Sequence, residues 1–306
     1  MSITAPTKTS DFSGFLNPNI AAPIFEEAAR LSVVQRLARR IPLGINGEAV
    51  PVVTSRPTAG WVSEGEQKPA TSGAMALRTM TPEKLAAILV VSAEVVRANP
   101  GGYLEQARSD LAQAFADAFD AAALHGTNTP FDAYVAETTK SVTLGTATQQ
   151  KGGVHADIVA GLSLLVNDGR RLTGFALDDS VEPVLLSATD TTGRPIYVDT
   201  PLDETSAAVR PGRLIGRPSL MSENVGSNGV VAFAGDWSKV VWGAIGGISY
   251  SVSNEATVTI NGSLVSLWEH NLVAIKAEAE YGLLFETGDG EPVHFVKYLY
   301  SQDSPS

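Results

Sequence analysis

The clearest alternation of hydrophobic and polar positions along the chain lies in residues 103–125. Apolar side chains recur there at intervals of three and four residues, at Leu104, Ala107, Leu111, Ala114, Phe115, Ala118, Phe119 and Ala122. This spacing places them on one face of an α-helix. Gly126 follows directly and is suited to ending a helix. The pattern therefore predicts an amphipathic helix on the order of 33 Å long.

Residues 47–82 show a different pattern, in which two short apolar runs flank a polar stretch. Residues 49–53 and 75–80 have the composition of strands, and the residues between them are mostly small and polar. This arrangement predicts a long two-stranded excursion with a flexible tip. Because a two-stranded ribbon alone in water is only marginally stable, we expect this hairpin to need a partner surface.

The first forty residues predict an arm followed by a helix. Residues 1–20 are dominated by Thr, Ser, Pro and Asn and cannot build a core of their own. Single apolar side chains stand among them at Phe12, Phe15, Leu16 and Ile20. We expect this segment to be disordered or to lie extended on another surface. A helix is predicted to start near Pro23 and to continue to Ile41, ahead of Pro42.

The remaining patterns predict a mixture of short helices and strands. Residues 84–96 predict a buried strand that continues into a short helix, and the Thr-, Gln- and Gly-rich residues 127–153 predict a linker. From residue 154 onward the patterns predict an α/β unit with a mixed sheet. Its elements are a helix at 158–166, strands at 184–186 and 230–233, a turn or bulge at Gly243, Gly246 and Gly247, and closing strands at 283–285 and 292–298.

Composition narrows the function classes. The 306 residues are 44% hydrophobic, which is ample for a large core. A formal net charge of −11 argues against a main task of binding nucleic acid, although residues 1–40 hold five Lys or Arg against three Asp or Glu. The absence of cysteine excludes disulfides and thiolate chemistry. No signal-peptide core or bilayer-spanning stretch is present, so the sequence predicts a soluble, non-secreted protein without a membrane partner.

Catalytic and metal-binding motifs are not apparent in the sequence. The four histidines lack the paired spacing of zinc sites and are interpreted as structural; they are His125, His155, His270 and His294. Neither the nucleophile-elbow motif nor the phosphate-binding loop motif occurs. The sequence therefore implies no catalytic residue, no metal and no cofactor.

Three clusters of charge leave alternatives open. The two acidic clusters are Asp178, Asp179 and Glu182, followed by Asp199, Asp203 and Glu204. Either cluster could hold a hard cation, but a solvated acidic loop is the favoured interpretation. The basic cluster is Arg36, Arg39 and Arg40. It could contact phosphates, but salt bridges on a helix face are favoured.

An arm and a hairpin that cannot fold alone, together with a long amphipathic helix, are typical of a chain that completes its core by contacting copies of itself. The order of these parts resembles the major capsid proteins of tailed bacteriophages, which have the Hong Kong 97-type fold. The segments that carry the resemblance are W-V-S-E-G-E at 61–66, P-E-K-L-A-A at 82–87, V-S-A-E-V-V at 91–96, L-H-G-T at 124–127, G-R-P at 193–195, L-I-G-R-P at 214–218, A-G-D-W-S at 234–238 and N-L-V-A-I-K-A-E at 271–278.

The resemblance implies an α+β Hong Kong 97-type capsid fold, with an N-terminal arm, an extended β-hairpin loop, a peripheral domain with a long spine helix, and an axial α/β domain. The implied domains are 1–46 (arm and helix), 47–82 (extended loop), 83–145 with 266–306 (peripheral, spine helix 103–125) and 146–265 (axial). Residues 271–278 correspond in this comparison to the family's final helix.

The implied function is that of a structural subunit whose pentamers and hexamers close into an icosahedral shell around double-stranded DNA. The shell would enclose DNA without sequence-specific binding, form in the host cytoplasm, and involve a portal and, where needed, separate scaffolding or decoration proteins. The arm and the extended loop would lie over neighbouring subunits. The expected assembly-interface residues are Phe12, Phe15, Leu16, Arg39, Arg40, Trp61, Glu64, Glu66 and Lys68.

The sequence departs from the pattern of some family members in two features, the fused scaffolding segment and the cross-link between subunits. The arm begins almost at Met1, so a separate scaffolding protein or none is expected, instead of a fused scaffolding segment. Lys68 lies near the loop tip, where some members form a cross-link, but a salt-bridge or solvated role is favoured for it. The alternatives are an encapsulin-type nanocompartment shell protein and, less favoured, an acidic α/β hydrolytic enzyme.

Overall fold

A computed structural model describes residues 28, 31–55, 57–98, 103–148, 151–189, 193–199, 209–287 and 292–300. Phe12, Phe15 and Leu16 lie outside the described residues. Within these residues, the α-helices include α1 (Val33–Leu37), α2 (Ala93–Ala98), α3 (Tyr103–His125), α4 (Gly153–Asn167) and α5 (Glu182–Ser187). None of the described helices is long and apolar enough to cross a membrane.

Strands occupy much of the remaining described chain. They are β1 (Arg39–Arg40), β2 (Glu48–Ser55), β3 (Ala74–Met80), β4 (Glu83–Ser92), β5 (Ser141–Leu144), β6 (Gly174–Leu177), β7 (Tyr197–Asp199), β8 (Arg210–Leu214), β9 (Arg217–Met221), β10 (Val230–Gly235), β11 (Val240–Ser253), β12 (Thr257–Ile260), β13 (Ser263–Ser266), β14 (Leu272–Phe285) and β15 (Phe295–Tyr300).

The strands form two larger sheets and two hairpins. One sheet has the order β1-β11-β14-β4, with β1 parallel to β11 and the other pairs antiparallel. The other is a mixed sheet with the order β5-β15-β10-β6-β9-β8-β7. The hairpins are β2–β3 and β12–β13. The fold is therefore α+β, as predicted.

The described chain has two hydrophobic cores, and the one beside the four-stranded sheet also takes Phe233 and Phe295 from the seven-stranded sheet. The core beside the four-stranded sheet contains aromatic side chains of α3, β11 and β14, among them Phe119, Trp242 and Tyr281. The core of the seven-stranded sheet contains Phe175 and Tyr298 and is covered by α4 and α5. The two cores together hold the two larger sheets and the helices α3, α4 and α5 in place.

Several predicted elements are confirmed. Helix α3 covers the predicted 103–125, and β2 pairs with β3 antiparallel as the predicted hairpin. The glycines of β11 form a bulge, because the register with β14 shifts between Ile245 and Ser249 and both Gly246 and Gly247 have positive φ. Glycine tolerates that backbone conformation without steric cost.

The prediction of a final helix at 271–278 is wrong, because these residues enter strand β14. Lys276, Glu278 and Glu280 are partly exposed, whereas Ala277 and its alternate neighbours up to residue 281 are buried. This period of two is that of a strand. The strand lies between β11 and β4 and pairs with both, so its tertiary partners override the helix propensity of its alanines.

The predicted strand at 184–186 is also wrong, because residues 182–187 form helix α5. Asp178 caps the 3₁₀ turn ahead of it by accepting from the Ser180 N–H, and Pro183 occupies the first turn of the helix. Both are typical of a helix start. Residues 127–153 are likewise more than a linker, since β5 lies within them and pairs in parallel with β15.

Two further predictions need correction at the edges of the four-stranded sheet. The predicted helix to Ile41 ends at Leu37, because the chain turns extended at Ala38 and pairs as β1 with β11. Strand β4 and helix α2 occur as expected, but β4 is not a buried strand. Its side chains are mostly half-exposed, and Ile88 is 55% exposed, because it forms the edge of the sheet.

Candidate assembly interface

The N-terminal part of the described chain is fastened to α3 by a buried carboxylate. Asp120 Oδ1 accepts from the Ser32 hydroxyl at 2.6 Å and from the Val34 N–H at 3.1 Å, while Oδ2 accepts from the Val33 N–H at 2.7 Å. The carboxylate thus caps the N-terminus of α1 from a neighbouring helix. Burial raises the pKa of Asp120 to about 7, and the three hydrogen bonds only partly counteract it.

Arg39 and Arg40 lie on an exposed edge strand, so their predicted place on a helix face is wrong. They pair with Val241 and Trp242 of β11. The Arg40 guanidinium carbon lies 5.3 Å from the centroid of the Trp242 ring, within the range of a cation–π contact. Arg36, the third member of the basic cluster, donates to the Val209 carbonyl at 3.4 Å. This edge is therefore a cationic surface beside the anchored N-terminal segment.

The tip of the β2–β3 hairpin is exposed, apart from the half-buried Val62. Trp61 has full solvent exposure, and Glu64, Glu66 and Lys68 are exposed as well. The Glu66 N–H donates to the Ser63 carbonyl at 3.2 Å, which closes a turn. The structure therefore brings together the four predicted interface residues of the loop, with an indole and two carboxylates within six residues of one another.

One face of the same hairpin is apolar and faces solvent. Val53 pairs with Met75, and Pro51 pairs with Leu77, so these four side chains share a face. Val53, Met75 and Leu77 are 43%, 69% and 74% exposed. A contiguous exposed apolar surface of this kind marks a site of protein contact more often than a free surface.

A groove of about 740 Å³ lies between the base of the hairpin and the two sheets. Its cationic lining residues are Arg39, Arg170, Arg171 and Lys239, and its acidic ones are Asp236 and Glu286. Sequence reasoning missed Arg170 and Arg171. Their signal was a pair of adjacent arginines directly after Gly169, at the end of a helix, in an acidic chain.

The acidic cluster at Asp178, Asp179 and Glu182 is structural, so its interpretation as a solvated loop is wrong. Arg210 donates to both carboxylate oxygens of Glu182, at 2.7 and 2.8 Å, and Asp179 lies 3.2 Å from the same guanidinium. These contacts raise the Arg210 pKa, with the Glu182 hydrogen bonds contributing most. Among the described residues, no group of three His, Cys, Asp or Glu side chains is placed to hold a metal.

The second acidic cluster is described only in part. Asp199 ends β7, and Asp203 and Glu204 lie outside the described residues. Three histidines contact backbone or buried groups: His125 Nε2 lies 2.8 Å from the Val225 carbonyl, His270 Nδ1 lies 2.9 Å from the Ser266 carbonyl, and His294 is buried beside Arg170. Burial lowers the pKa of His125 and of His294. The contacts of these three rings fit the structural role that was predicted for them.

The chain is similar in sequence to capsid proteins of phages. The model of the phage capsid family matches residues 13–285. The chain is 42% identical over 291 residues to the probable major capsid protein gp17 of Mycobacterium phage D29, covering 94% of this chain and 91% of that protein. It is 44% identical over 286 residues to the probable major capsid protein gp17 of Mycobacterium phage L5, covering 90% and 88%.

Solved structures resemble the fold at lower sequence identity. A chain from Microbacterium phage Oxtober96 superimposes with a TM-score of 0.67 at 20% identity, covering 88% of this chain and 91% of that one. The likeness extends over nearly the whole described fold, so the two larger sheets and the hairpin belong to one shared architecture.

Proposed function

The chain belongs to the phage capsid family, and we propose that its arm, its hairpin and its cationic edge join copies of it into a closed shell. It is a major capsid protein of a tailed phage and has the Hong Kong 97-type fold. The expected interface residues divide into three places. Phe12, Phe15 and Leu16 belong to the arm, Arg39 and Arg40 to the edge strand, and Trp61, Glu64, Glu66 and Lys68 to the loop tip.

The observation that carries this proposal is the exposure of Trp61 and of the apolar hairpin face. A chain that leaves an indole and three large aliphatic side chains in water gains free energy when another surface covers them, at roughly 25 cal/mol per Å² of apolar area buried. Arm residues that contact a second copy would add to that area. A subunit in a shell meets several copies at once and can cover each of these surfaces.

The domain organisation that we propose follows the family pattern, with the arm and helix at 1–46, the extended loop at 47–82, and a peripheral and an axial domain. β11 pairs with β14, which in turn pairs with β4, and this supports counting residues 240–253 with the peripheral domain. The pairing of β5 and β15 within the seven-stranded sheet supports counting those two strands with the axial domain.

Partners and location are proposed from charge and from the family. Copies would gather as pentamers and hexamers, and the shell would form in the host cytoplasm with a portal and, where needed, separate scaffolding or decoration proteins. The net charge of −11 supports a wall that encloses DNA without binding it tightly, since like charges repel and leave the DNA free to move.

We propose a structural role without catalysis. The relatives at 42–44% identity are named as probable capsid proteins. Lys68 is exposed and has no ion-pair partner within the described part of the chain, which supports a solvated side chain at the loop tip. Neither the nanocompartment alternative nor the hydrolytic alternative gains support from a contact among the described residues.

The direct test is to purify the expressed chain, size it by light scattering and image it by negative-stain electron microscopy. We expect closed particles or rings of five or six copies, because covering the hairpin faces requires neighbours on several sides. A chain that stays monomeric at high concentration, both alone and when co-expressed with the neighbouring genes of a phage head, would contradict the proposal.

A further inference from the structure

The groove of about 740 Å³ carries an unbalanced positive charge in a chain that is acidic as a whole. Its charged lining consists of four cationic and two acidic side chains: Arg39, Arg170, Arg171, Lys239, Asp236 and Glu286. His294 lines the groove as well, and burial, followed by the nearby Arg170, lowers its pKa and keeps the ring neutral near pH 7. Two positive charges of the described lining are therefore not balanced within it.

Both acidic groups of the groove already have partners. Glu286 Oε2 lies 2.7 Å from Lys239 Nζ, and the buried Asp236 accepts from the N–H and the hydroxyl of Ser238, at 3.2 and 2.6 Å. Arg39 and Arg171 are exposed, and neither forms an ion pair with an acidic side chain of the described residues. The uncompensated charge of the groove therefore belongs to its arginines.

Hydrogen-bond donors are also in excess beside these charges. Arg170 Nη1 lies 3.5 Å from Nε2 of His294, and because a guanidinium can only donate, Nε2 accepts and the proton of the neutral ring lies on Nδ1. Arg170 Nε and His294 Nδ1 are thus both N–H donors, and both are buried without a hydrogen-bond partner among the described residues. His294 as a whole is only 4% exposed. Buried polar groups are nearly always paired in folded proteins, so this part of the groove lacks an acceptor.

The rest of the lining strengthens the attraction of an anion. Residues 50–53 of β2, Val241 and Leu284 contribute apolar side chains, which exclude water and so lower the local dielectric around the arginines. Guanidinium groups match the oxygens of a phosphate group in geometry and in charge. A compact dianion with several acceptor oxygens fits both the two unbalanced charges and the unpaired donors. Duplex DNA fits less well, because its phosphates form a long row, whereas these cations line one groove that also holds two carboxylates.

We propose that the groove binds a free phosphate-type oxyanion, a tetrahedral dianion such as hydrogen phosphate, through the guanidinium groups of Arg39, Arg170 and Arg171. Arg39 belongs to β1, the edge of the four-stranded sheet, whereas Arg170 and Arg171 directly precede β6 of the seven-stranded sheet. The bound dianion therefore links the two sheets by charge and holds the edge strand in place. This ligand site goes beyond the proposed shell function and does not depend on it.

The test is the binding of inorganic phosphate to the purified full chain, measured by isothermal titration calorimetry and by thermal unfolding against sodium chloride of equal ionic strength. We expect saturable binding and a saturable rise in Tm of about 2 °C or more. The variant Arg39→Gln with Arg171→Gln should weaken binding about 10-fold or more and remove most of the rise in Tm. These two arginines are chosen because they are exposed, whereas Arg170 is partly buried and its replacement could disturb the fold.

The matched control is Arg97→Gln with Arg213→Gln, which removes the same two charges from exposed positions outside the groove lining. This control should bind phosphate as tightly as the unmodified chain. Equal weakening in both double variants would mean that net charge, and not the groove, attracts the anion, and would overturn the inference. Phosphate also stabilises proteins in general because it is excluded from their surface. An equal, unsaturated rise in Tm in all three proteins would show that general effect and would overturn the inference as well.

A short DNA duplex at the same concentration of phosphate groups separates the free anion from a nucleic-acid backbone. We expect the duplex to leave phosphate binding unchanged. Displacement of phosphate by the duplex, together with loss of duplex binding in Arg39→Gln with Arg171→Gln, would assign the groove to DNA and overturn the inference. The calorimetric measurement needs no assembled shell, so a chain that binds phosphate without forming shells would contradict only the proposed function.

Discussion

Asp120 is a carboxylate in the centre of a hydrophobic core, and the attachment of the N-terminal segment depends on it. Burying an ionised group is costly unless hydrogen bonds replace its water. Two backbone N–H groups and the Ser32 hydroxyl supply them. Loss of the carboxyl group would leave these donors buried and unpaired, at about 1–3 kcal/mol for each such group. We infer that Asp120→Ala detaches α1 from α3.

The raised pKa of Asp120 predicts a pH-dependent stability. The folded chain holds the proton up to about pH 7, whereas the unfolded chain releases it near the ordinary value of 3.8. The stability that this group contributes is therefore fully present below about pH 4 and is lost as the pH rises through about 7. We expect Asp120→Asn, which cannot ionise, to flatten this part of the profile of unfolding free energy between pH 5 and pH 8.

The measurement is urea unfolding of the unassembled chain at several pH values. Asp132→Asn is the control, because Asp132 is exposed and its substitution removes the same charge. In that control, the free energy of unfolding should still fall as the pH rises from 5 to 8. Identical slopes for the unmodified chain and Asp120→Asn would show that the carboxylate is not the group that titrates.

The ion pairs of Asp179 and Glu182 show what could not be predicted from the sequence at the scale of single residues. Asp179 and Glu182 were interpreted as part of a solvated acidic loop. Their partner, Arg210, lies 28 residues beyond Glu182 and reaches it through the pairing of β8 with β9. The type of a side chain was visible from the sequence, but the distant partner that determines its role was not.

Elements were predictable where their pattern was local. The long helix α3 followed from a repeat that its own residues carry, and the β2–β3 hairpin followed from two runs and a polar turn. Strand β14 was missed because its alanines favour a helix, although Lys276, Glu278 and Glu280 alternate with buried positions. Giving the period of two more weight than propensity would have identified it.

Helix α4 packs on the seven-stranded sheet through a glycine, and this contact can be tested. A Cβ at Gly161 would overlap the ring and hydroxyl of Tyr298, whose Oη donates to the Ile158 carbonyl at 3.1 Å. We expect Gly161→Ala to destabilise the chain by about 1–3 kcal/mol, since overpacking forces side chains and backbone apart. Chemical unfolding measures the effect.

The control for this contact is Ser163→Ala, on the exposed side of the same helix. Its free energy of unfolding should stay within about 0.5 kcal/mol of that of the unmodified chain. Equal stability of Gly161→Ala and Ser163→Ala would mean that α4 shifts easily on the sheet and that the glycine is not required.

The whole molecule is built from strands that are far apart in sequence. The four-stranded sheet joins β1, β4, β11 and β14, and the seven-stranded sheet places β5 beside β15. Local patterns do not encode such pairings, which is why the sheet order and the groove between the sheets were not predicted. The expected interface residues of the loop came from the family resemblance and not from a local pattern, and they stay a prediction.

Assembly of the whole molecule provides the test for Trp61. We expect Trp61→Ala to leave monomer unfolding within about 0.5 kcal/mol of the unmodified value, because the side chain contacts solvent in the single chain. The same variant should lower the yield of closed shells, since a buried aromatic anchor in an interface contributes about 2 kcal/mol or more. Light scattering and electron microscopy measure the yield.

Trp61→Phe serves as the conservative partner of this variant and should retain most of the assembly, because the ring still fills an apolar site. If the Trp61→Ala variant forms closed shells in normal yield, Trp61 is not part of the assembly interface. An equal loss in both variants would indicate that the indole N–H, and not its apolar surface, makes the contact.

The attachment of the N-terminal segment also has a mechanical consequence. A force that pulls on the chain ahead of residue 31 reaches the fold at the Asp120 clamp and then at β1, whose two residues lie parallel to β11. The clamp spreads that load onto α3, so tension on the chain ahead of residue 31 is carried by the interior of the fold. Because peeling the segment away exposes the Asp120 carboxyl group to water and returns its pKa from about 7 toward the ordinary value, the force needed to peel it should rise in acid, together with the stability of the folded chain.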